Sequence, residues 1–295
     1  MAWKIGVDGG GTKTECLLVD PSGAVAARYT GPGCSPSLVG KARARQIAEE
    51  AIRGVRAGHA AAQVSFTLLC MAGSRAFWRE VGDGLRGCGR IETADDSVPV
   101  LELATRGGPG LVLHAGTGSF VAARTPDGAI HYAGGVGWRF GDEGSGYDLG
   151  RRAIARALLE LQGWAKPSGL GSLVRERTGS TTAAGVAGHF YHDPATNTGV
   201  AALAPDVLRL AGEGDPAAQE AVSQSVWRLL ELAVSVSGQL FPGSLPDSFR
   251  AGVSGHILNH PFAFRSLSSK APFPLSPVTE PPIEGVRLLL ARSAE

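Results

Sequence analysis

A block near the start of the chain returns about a hundred residues later, and this repeat limits the available folds more than any other feature of the sequence. At a constant offset of 105, Gly11-Thr12 maps onto Gly116-Thr117, Pro21 onto Pro126 and Gly23 onto Gly128, with no gap. The first block reads as three strands, Trp3 to Asp8, Thr14 to Asp20 and Ala24 to Thr30, with Pro21-Ser22-Gly23 as the tight turn between the last two. The second reads as Leu111 to His114, Ser119 to Arg124 and Ala129 to Tyr132, with Pro126-Asp127-Gly128 as the turn. Internal self-similarity of this kind predicts two domains of similar topology.

Between the blocks, Ala44, Ile47, Ala48, Ala51, Ile52 and Val55 recur with helical period over Lys41 to Ala57. Val64 to Met71 reads as a buried strand and Ile91 to Ala94 as a shorter one ending at Asp95-Asp96. The order of three strands, helix, strand, helix, strand is that of a ribonuclease-H-like α/β domain. The second half is more helical. Leu149 to Leu161 has the right period, and Asp215-Pro216 is a cap and first-turn proline opening Ala217 to Leu240. Trp164, Trp227 and Phe241 are expected in helical cores. The proline-rich stretch Ala271 to Pro282 should be extended and should carry the chain back to a last helix, Ile283 to Ala294. The expected domains are 1–109, completed by 283–295, and 110–282.

Composition removes several classes of function. At 295 residues, 43% hydrophobic and 19% charged, the chain can bury sizeable cores. Lys plus Arg is 28 and Asp plus Glu is 27, so a net charge of +1 offers no field for gripping nucleic acid or an anionic bilayer. The start, Met1-Ala2-Trp3-Lys4, lacks the basic and apolar runs of a signal peptide, and Val226 to Phe241 carries Arg228 and Glu231, so a cytoplasmic protein is expected. Cys16, Cys34, Cys70 and Cys88 form no Cys-x-x-Cys pair and read as small core residues. His256 with His260, and His189 with His192, have metal-like spacing, but Gly255 and Pro261 flank the first pair and predict a loop or single turn.

Chemistry concentrates in three glycine-rich segments. Asp8-Gly9-Gly10-Gly11-Thr12-Lys13-Thr14 links two strands, where glycines permit positive backbone dihedrals and let amides approach an anion. It is neither a Walker A loop nor a dinucleotide fingerprint, because the lysine is displaced and a strand follows. Its counterpart, Ala115-Gly116-Thr117-Gly118-Ser119, repeats the small residues and hydroxyls, as two loops serving one triphosphate would. The third, Gly134 to Gly146, ends in Asp142-Glu143 before a helix, and so much glycine carries an entropic cost that favours a functional role.

These three loops, with Asp96 at a strand end, resemble the BadF/BadG/BcrA/BcrD ATPase family and within it the N-acetylglucosamine and glucosamine kinases. The resemblance implies the actin-like ATPase fold shared with sugar kinases and heat-shock chaperones: two ribonuclease-H-like domains with an interdomain cleft. It implies ATP and Mg²⁺ as cofactors. Asp8 would orient the metal through water; Gly10, Gly11 and Thr12, with Lys13 beside them, would contact phosphates, as would Gly116, Thr117 and Gly118. By the same resemblance Asp96 is the general base toward the sugar's primary hydroxyl, Asp142 holds a sugar hydroxyl, Gly135 lines that pocket, and Gly252 to Gly255 is the loop beside adenine, with Gly255 as its cofactor-binding residue. Asp95 competes with Asp96 for the base role, and either acid could instead cap the helix opening at Ser97. The sequence departs from the pattern at Ser35, where the acetylglucosamine kinases carry a sugar-binding asparagine, and at Val136, where a tryptophan is common. Glucosamine, N-acetylglucosamine or another hexose therefore stays open as substrate. The iron–sulfur branch of the family is disfavoured, because Asp96 to Gly116 contains no cysteine. The partners implied are a small-molecule sugar and ATP, with a homodimer also implied by resemblance. A nucleotide-dependent ATPase or sensor that signals to a partner protein is the alternative.

Overall fold

The computed structural model describes residues 2–192, 195–243, 245 and 248–293. The chain divides into two compact units, 1–107 with 280–295, and 108–279. The first unit opens with β1 (Trp3–Gly9), β2 (Lys13–Val19) and β3 (Val25–Pro32), followed by α1 (Pro36–Val39), α2 (Lys41–Val55), β4 (Val64–Met71), α3 (Arg75–Gly84), β5 (Arg90–Asp95) and α4 (Ser97–Thr105). The second contains β6 (Gly110–Ala115), β7 (Ser119–Arg124), β8 (Ile130–Gly134), α5 (Gly146–Leu161), α6 (Gly169–Thr178), α7 (Ala183–Tyr191), α8 (Thr196–Ala201), α9 (Ala204–Glu213), α10 (Pro216–Leu240), β9 (Arg250–Ser254), α11 (Pro261–Ser268) and β10 (Ser276–Pro277). The last helix, α12 (Pro282–Arg292), returns to the first unit. Residue 294, the expected end of that helix, lies outside the described residues, as does 295.

Among the described residues the strands form two five-stranded mixed sheets, ordered β3-β2-β1-β4-β5 and β10-β9-β6-β7-β8. Read outward from β1 and from β6, the two orders are the same, so the repeat seen in the sequence is a repeat of topology. In each sheet a meander of antiparallel strands supplies one side, and parallel pairings, β1 with β4 and β6 with β9, supply the other.

Period-two alternation gives the first sheet two buried faces. Ile5, Val7, Cys16 and Leu18 pack on α2 and α3, whereas Leu17, Val19, Phe66, Leu68 and Cys70 meet Ile283, Val286 and Leu290 of α12. Gly6 allows α12 to sit close, since a Cβ there would lie 2.5 Å from Val286 Cγ1. One contiguous core unites the second unit, drawing on β6, β7, β9 and helices α5 to α7 and α9 to α11. All four cysteines are buried, as expected of core residues. Trp227 packs partly buried against the core, with its Nε1–H donating to the Ser266 carbonyl at 3.0 Å, and Phe241 is buried. Trp164 is a correction: it is 82% exposed, because the helix carrying the apolar stripe ends at Leu161 and the tryptophan falls in the turn beyond it. No helix among the described residues is long and apolar enough to cross a membrane.

Candidate functional site

In open α/β sheets ligands bind beyond the carboxyl ends of the parallel strands. Register places the acids of the first unit there. Asp8 lies level with Cys70 of β4 and Glu15 of β2, and Met71 lies level with Asp95 of β5. Asp8 and Asp96, 88 residues apart in sequence, thus come to one sheet edge. Asp8 is 6% exposed, and burial, with Asp96 and Glu15 adding like charge, pushes its carboxyl up to about 7 against the weaker pull of Lys13. Burial and the neighbouring Asp95 also raise Asp96.

The two adjacent acids at the end of β5 are distinguished by their partners. Arg75 grips Asp95, its Nε donating to both carboxylate oxygens at 3.0 Å and its Nη2 donating to one at 2.5 Å. Asp96 occupies the position before α4, yet its side chain makes no capping hydrogen bond. The carboxylate of Asp96 is therefore half-buried and adds its charge to that of Asp8, while hydrogen bonds from its own backbone and that of Ser97 pull it down.

The loop from Gly9 to Thr12 corrects one expectation. None of Gly9, Gly10 and Gly11 has a positive φ; close approach is what demands glycine here, at Gly9 and at Gly33 facing the loop. A Cβ on Gly9 would stand 2.6 Å from Cys34 Sγ and 2.5 Å from Met71 Cε, and one on Gly33 would lie 2.1 Å from the Gly11 carbonyl oxygen. Gly10 has room, with its nearest neighbour at 3.6 Å. The loop is clamped from outside, because Cys34 N–H donates to Gly10 O at 3.0 Å and Ala72 N–H to Gly9 O at 2.8 Å. Gly11, Thr12 and Lys13 remain exposed, and Lys13 Nζ pairs with Glu15 at 2.5 Å. Ser35 is buried before α1 with its Oγ 3.0 Å from that of Ser37.

The second unit repeats the small-residue loop between its first two strands. Gly116 N–H donates to Gly118 O at 2.9 Å, Thr117 is exposed, and Gly116 O accepts from Gly146 N–H at 2.8 Å. Asp142 meets this loop: its Oδ2 would lie 3.2 Å from a Cβ on Gly118. Asp142 is 7% exposed and has φ +68, and burial raises its carboxyl while hydrogen bonds from the Ser119 and Gly137 backbones pull it down. A non-glycine residue in that conformation costs about 1–3 kcal/mol and marks a site held by its surroundings. Gly135 is exposed with φ +68, as a tight bend requires. Trp138, Phe140, Glu143 and Tyr147 line an open cavity of about 640 Å³ beside the Asp142 loop.

The expected loop from Gly252 to Gly255 is corrected in extent, because Gly252, Val253 and Ser254 continue β9 and pair in register with β6. Only Gly255 leaves the strand, with φ +87 and a hypothetical Cβ 2.1 Å from the Ala115 carbonyl oxygen. His256 lies in the turn that follows, beside Gly116, and among the described residues no group of His, Cys, Asp and Glu is placed to hold a metal ion by itself.

Sequence reasoning missed several residues around these loops. Glu15 was legible from the hairpin register that sets it across from Asp8. Arg75, Cys34 and the hydrogen bond of 2.7 Å between His114 Nδ1 and Ser254 Oγ join distant segments, and no local signal announces them. Burial and His256 lower the His114 imidazole to about 4.

Two units of this topology, each offering small-residue loops at its parallel strand ends, define the actin-like ATPase fold. A solved structure from Chromobacterium violaceum, of a protein provisionally named an N-acetylglucosamine kinase, superposes with a TM-score of 0.77 at 27% identity, covering 98% of this chain and 99% of that one. A glucokinase of the ROK family from Streptomyces griseus, in complex with glucose and AMPPNP, shares the fold with a TM-score of 0.57 at 12% identity, covering 97% of each chain. An N-acetylmuramic acid/N-acetylglucosamine kinase from Clostridium acetobutylicum is 30% identical over 169 residues, 54% of this chain and 54% of that protein, so the match spans about half the length of that relative. The family model for the BadF/BadG/BcrA/BcrD ATPases matches residues 5–243. The chain belongs to the BadF/BadG/BcrA/BcrD ATPase family.

Proposed function

We propose that this protein is an ATP-dependent sugar kinase that transfers the γ-phosphoryl group of ATP to the 6-hydroxyl of an amino-hexose, N-acetylglucosamine or glucosamine. The observation that carries the reading is Asp96, a half-buried carboxylate at a parallel strand end whose charge is felt by Asp8 and which makes no N-cap hydrogen bond, while Arg75 occupies its neighbour Asp95. The kinase names of the relatives from Clostridium and Chromobacterium support the same class.

In this mechanism Asp96 accepts the proton of the sugar hydroxyl as its oxygen attacks the γ-phosphorus; the new O–P bond forms as the bond to the β-bridging oxygen breaks, and ADP leaves. The raised affinity of Asp96 for a proton brings it closer to the working pH, which suits a general base. Little covalent help is required, and placement with charge neutralisation carries most of the catalysis. Gly10, Gly11, Thr12 and Lys13 on one unit, and Gly116, Thr117 and Gly118 on the other, would bind phosphate oxygens through amides, hydroxyls and the lysine. In the second unit Asp142 would accept a hydrogen bond from a sugar hydroxyl, with Gly135 lining that pocket; in the first, Ser35 would be the residue turned to sugar binding.

The acid cluster fits Mg²⁺. Asp8, crowded by Asp96 and Glu15, holds excess negative charge in a buried place, yet among the described residues there is no closed cage of ligands. That is the donor set of an ion bound partly through water and nucleotide. Asp8 would hold the ion, which when bound neutralises charge on the transferring phosphoryl group.

The test is ADP release from Mg-ATP in the presence of glucosamine, N-acetylglucosamine or another hexose, with the phosphorylated position read by NMR. Sugar-dependent release with 6-phosphate product is expected; ATP consumption indifferent to every sugar would end the reading. Asp96→Asn should lower kcat by about 10²- to 10⁴-fold while leaving the nucleotide Kd within about twofold. An unaltered kcat would move the base elsewhere.

A further inference from the structure

We propose that Asp148 is a positioning residue, the anchor that holds the segment from Asp142 to Gly146 in register and so presents Asp142 to the acceptor sugar; this rests on the kinase reading above. Asp148 stands in the first turn of α5, where an acid is ordinarily content with the helix terminus and solvent. Here it is buried and accepts from three directions. Ser225 Oγ of α10 donates at 2.6 Å, Arg152 Nε at 3.0 Å and Arg151 Nη2 at 2.9 Å, and the Gly144 N–H of the loop reaches it at 3.4 Å. Burial alone would raise this carboxyl, but the bond from Ser225 and the pull of the two arginines outweigh it and hold Asp148 ionised.

The segment it grips is short and pinned along its length. Ser119 Oγ donates to Glu143 O at 2.6 Å, Gly146 N–H donates to Gly116 O, and Ser145 Oγ accepts from Asp148 N–H at 3.2 Å. Gly144, at φ +83, presses on α10, where a Cβ would meet Leu229 at 3.1 Å. Asp142 keeps its left-handed conformation between these pins. Asp148 ties the loop to α10 by hydrogen bonds where Gly144 does so by packing, and it also lines the open cavity with Trp138 and Tyr147. A buried charge satisfied by a second helix and a loop together costs more than a helix cap needs. Precision in the loop is what that network supplies.

The test uses the full chain with Asp148→Asn, which keeps the shape and removes the charge, and Ser225→Ala, a gentler loss of one donor. With N-acetylglucosamine and glucosamine as probes in calorimetry, the acceptor Kd should rise about five- to twentyfold in the first and about two- to fivefold in the second, with ATP affinity within about twofold. Kinetics should show the loss in KM more than in kcat. Amide hydrogen exchange over 142–146 should quicken in both variants. Folded Ser225→Ala protein with unaltered acceptor affinity, or ATP affinity falling in step, would overturn the anchor. If the unmodified protein binds neither sugar, the kinase reading fails, and the anchor is then judged on exchange alone: unaltered protection over 142–146 overturns it.

Discussion

At the scale of single residues, the first unit spends stability on its acids. Asp8 titrates near 3.8 when unfolded and near 7 when folded, chiefly through burial. Between those values the folded chain holds a proton that the unfolded chain has lost, so stability falls as pH rises through this window and levels off above 7. At about 1.36 kcal/mol per unit the shift sets a ceiling of roughly 4 kcal/mol. Asp8→Asn should remove most of that slope in nucleotide-free protein. Thermal unfolding of both proteins from pH 5 to pH 8 checks it, and parallel profiles would refute it. Asp96 was legible as a candidate because two acids close a strand; which of them is free was not, because Arg75, twenty residues away, makes that choice.

Among elements, the phosphate loops show what glycine is for. Glycines in this loop permit positive dihedrals and a close approach to an anion, and the fold draws on dihedral freedom at none of Gly9, Gly10 and Gly11; it uses absence of a side chain to let the backbone at Gly33 and the Cys34 and Met71 side chains close on the loop. Two substitutions separate the ideas. Gly33→Ala drives a methyl group into the Gly11 carbonyl and should destabilise the protein by about 1–3 kcal/mol and weaken ATP binding at least about tenfold. Gly10→Ala meets nothing nearer than 3.6 Å and should cost under about 1 kcal/mol. Denaturant melts and nucleotide titrations decide, and equal effects would sink the packing account. Strands and the long helices were readable because period two and period 3.6 are local; α7, α8 and α9 were not, because their short apolar runs are sorted only by packing against α5 and α10.

For the whole molecule, the chain's return is decisive: α12 lies in sequence beyond the second unit, yet covers one face of the first sheet. Leu290, 1% exposed, packs there with Leu17 and Phe66. Leu290→Ala should cost about 2–5 kcal/mol, read as a fall in the denaturation midpoint of the first unit, although the residue lies more than 190 positions from the acids of that unit; a loss under about 1 kcal/mol would mean that the helix is dispensable. From the sequence alone came the doubled topology, the two small-residue loops and the set of acids, since turn residues, alternation and a constant offset are properties of neighbours along the chain. Tertiary structure alone decided that Asp8 meets Asp96, that Asp95 is taken by Arg75, that Gly255 closes on Ala115 and that Asp148 reaches Ser225. Those pairings depend on parallel register and helix packing, whose free energy comes from contacts between residues tens to hundreds of positions apart, and no local pattern encodes them.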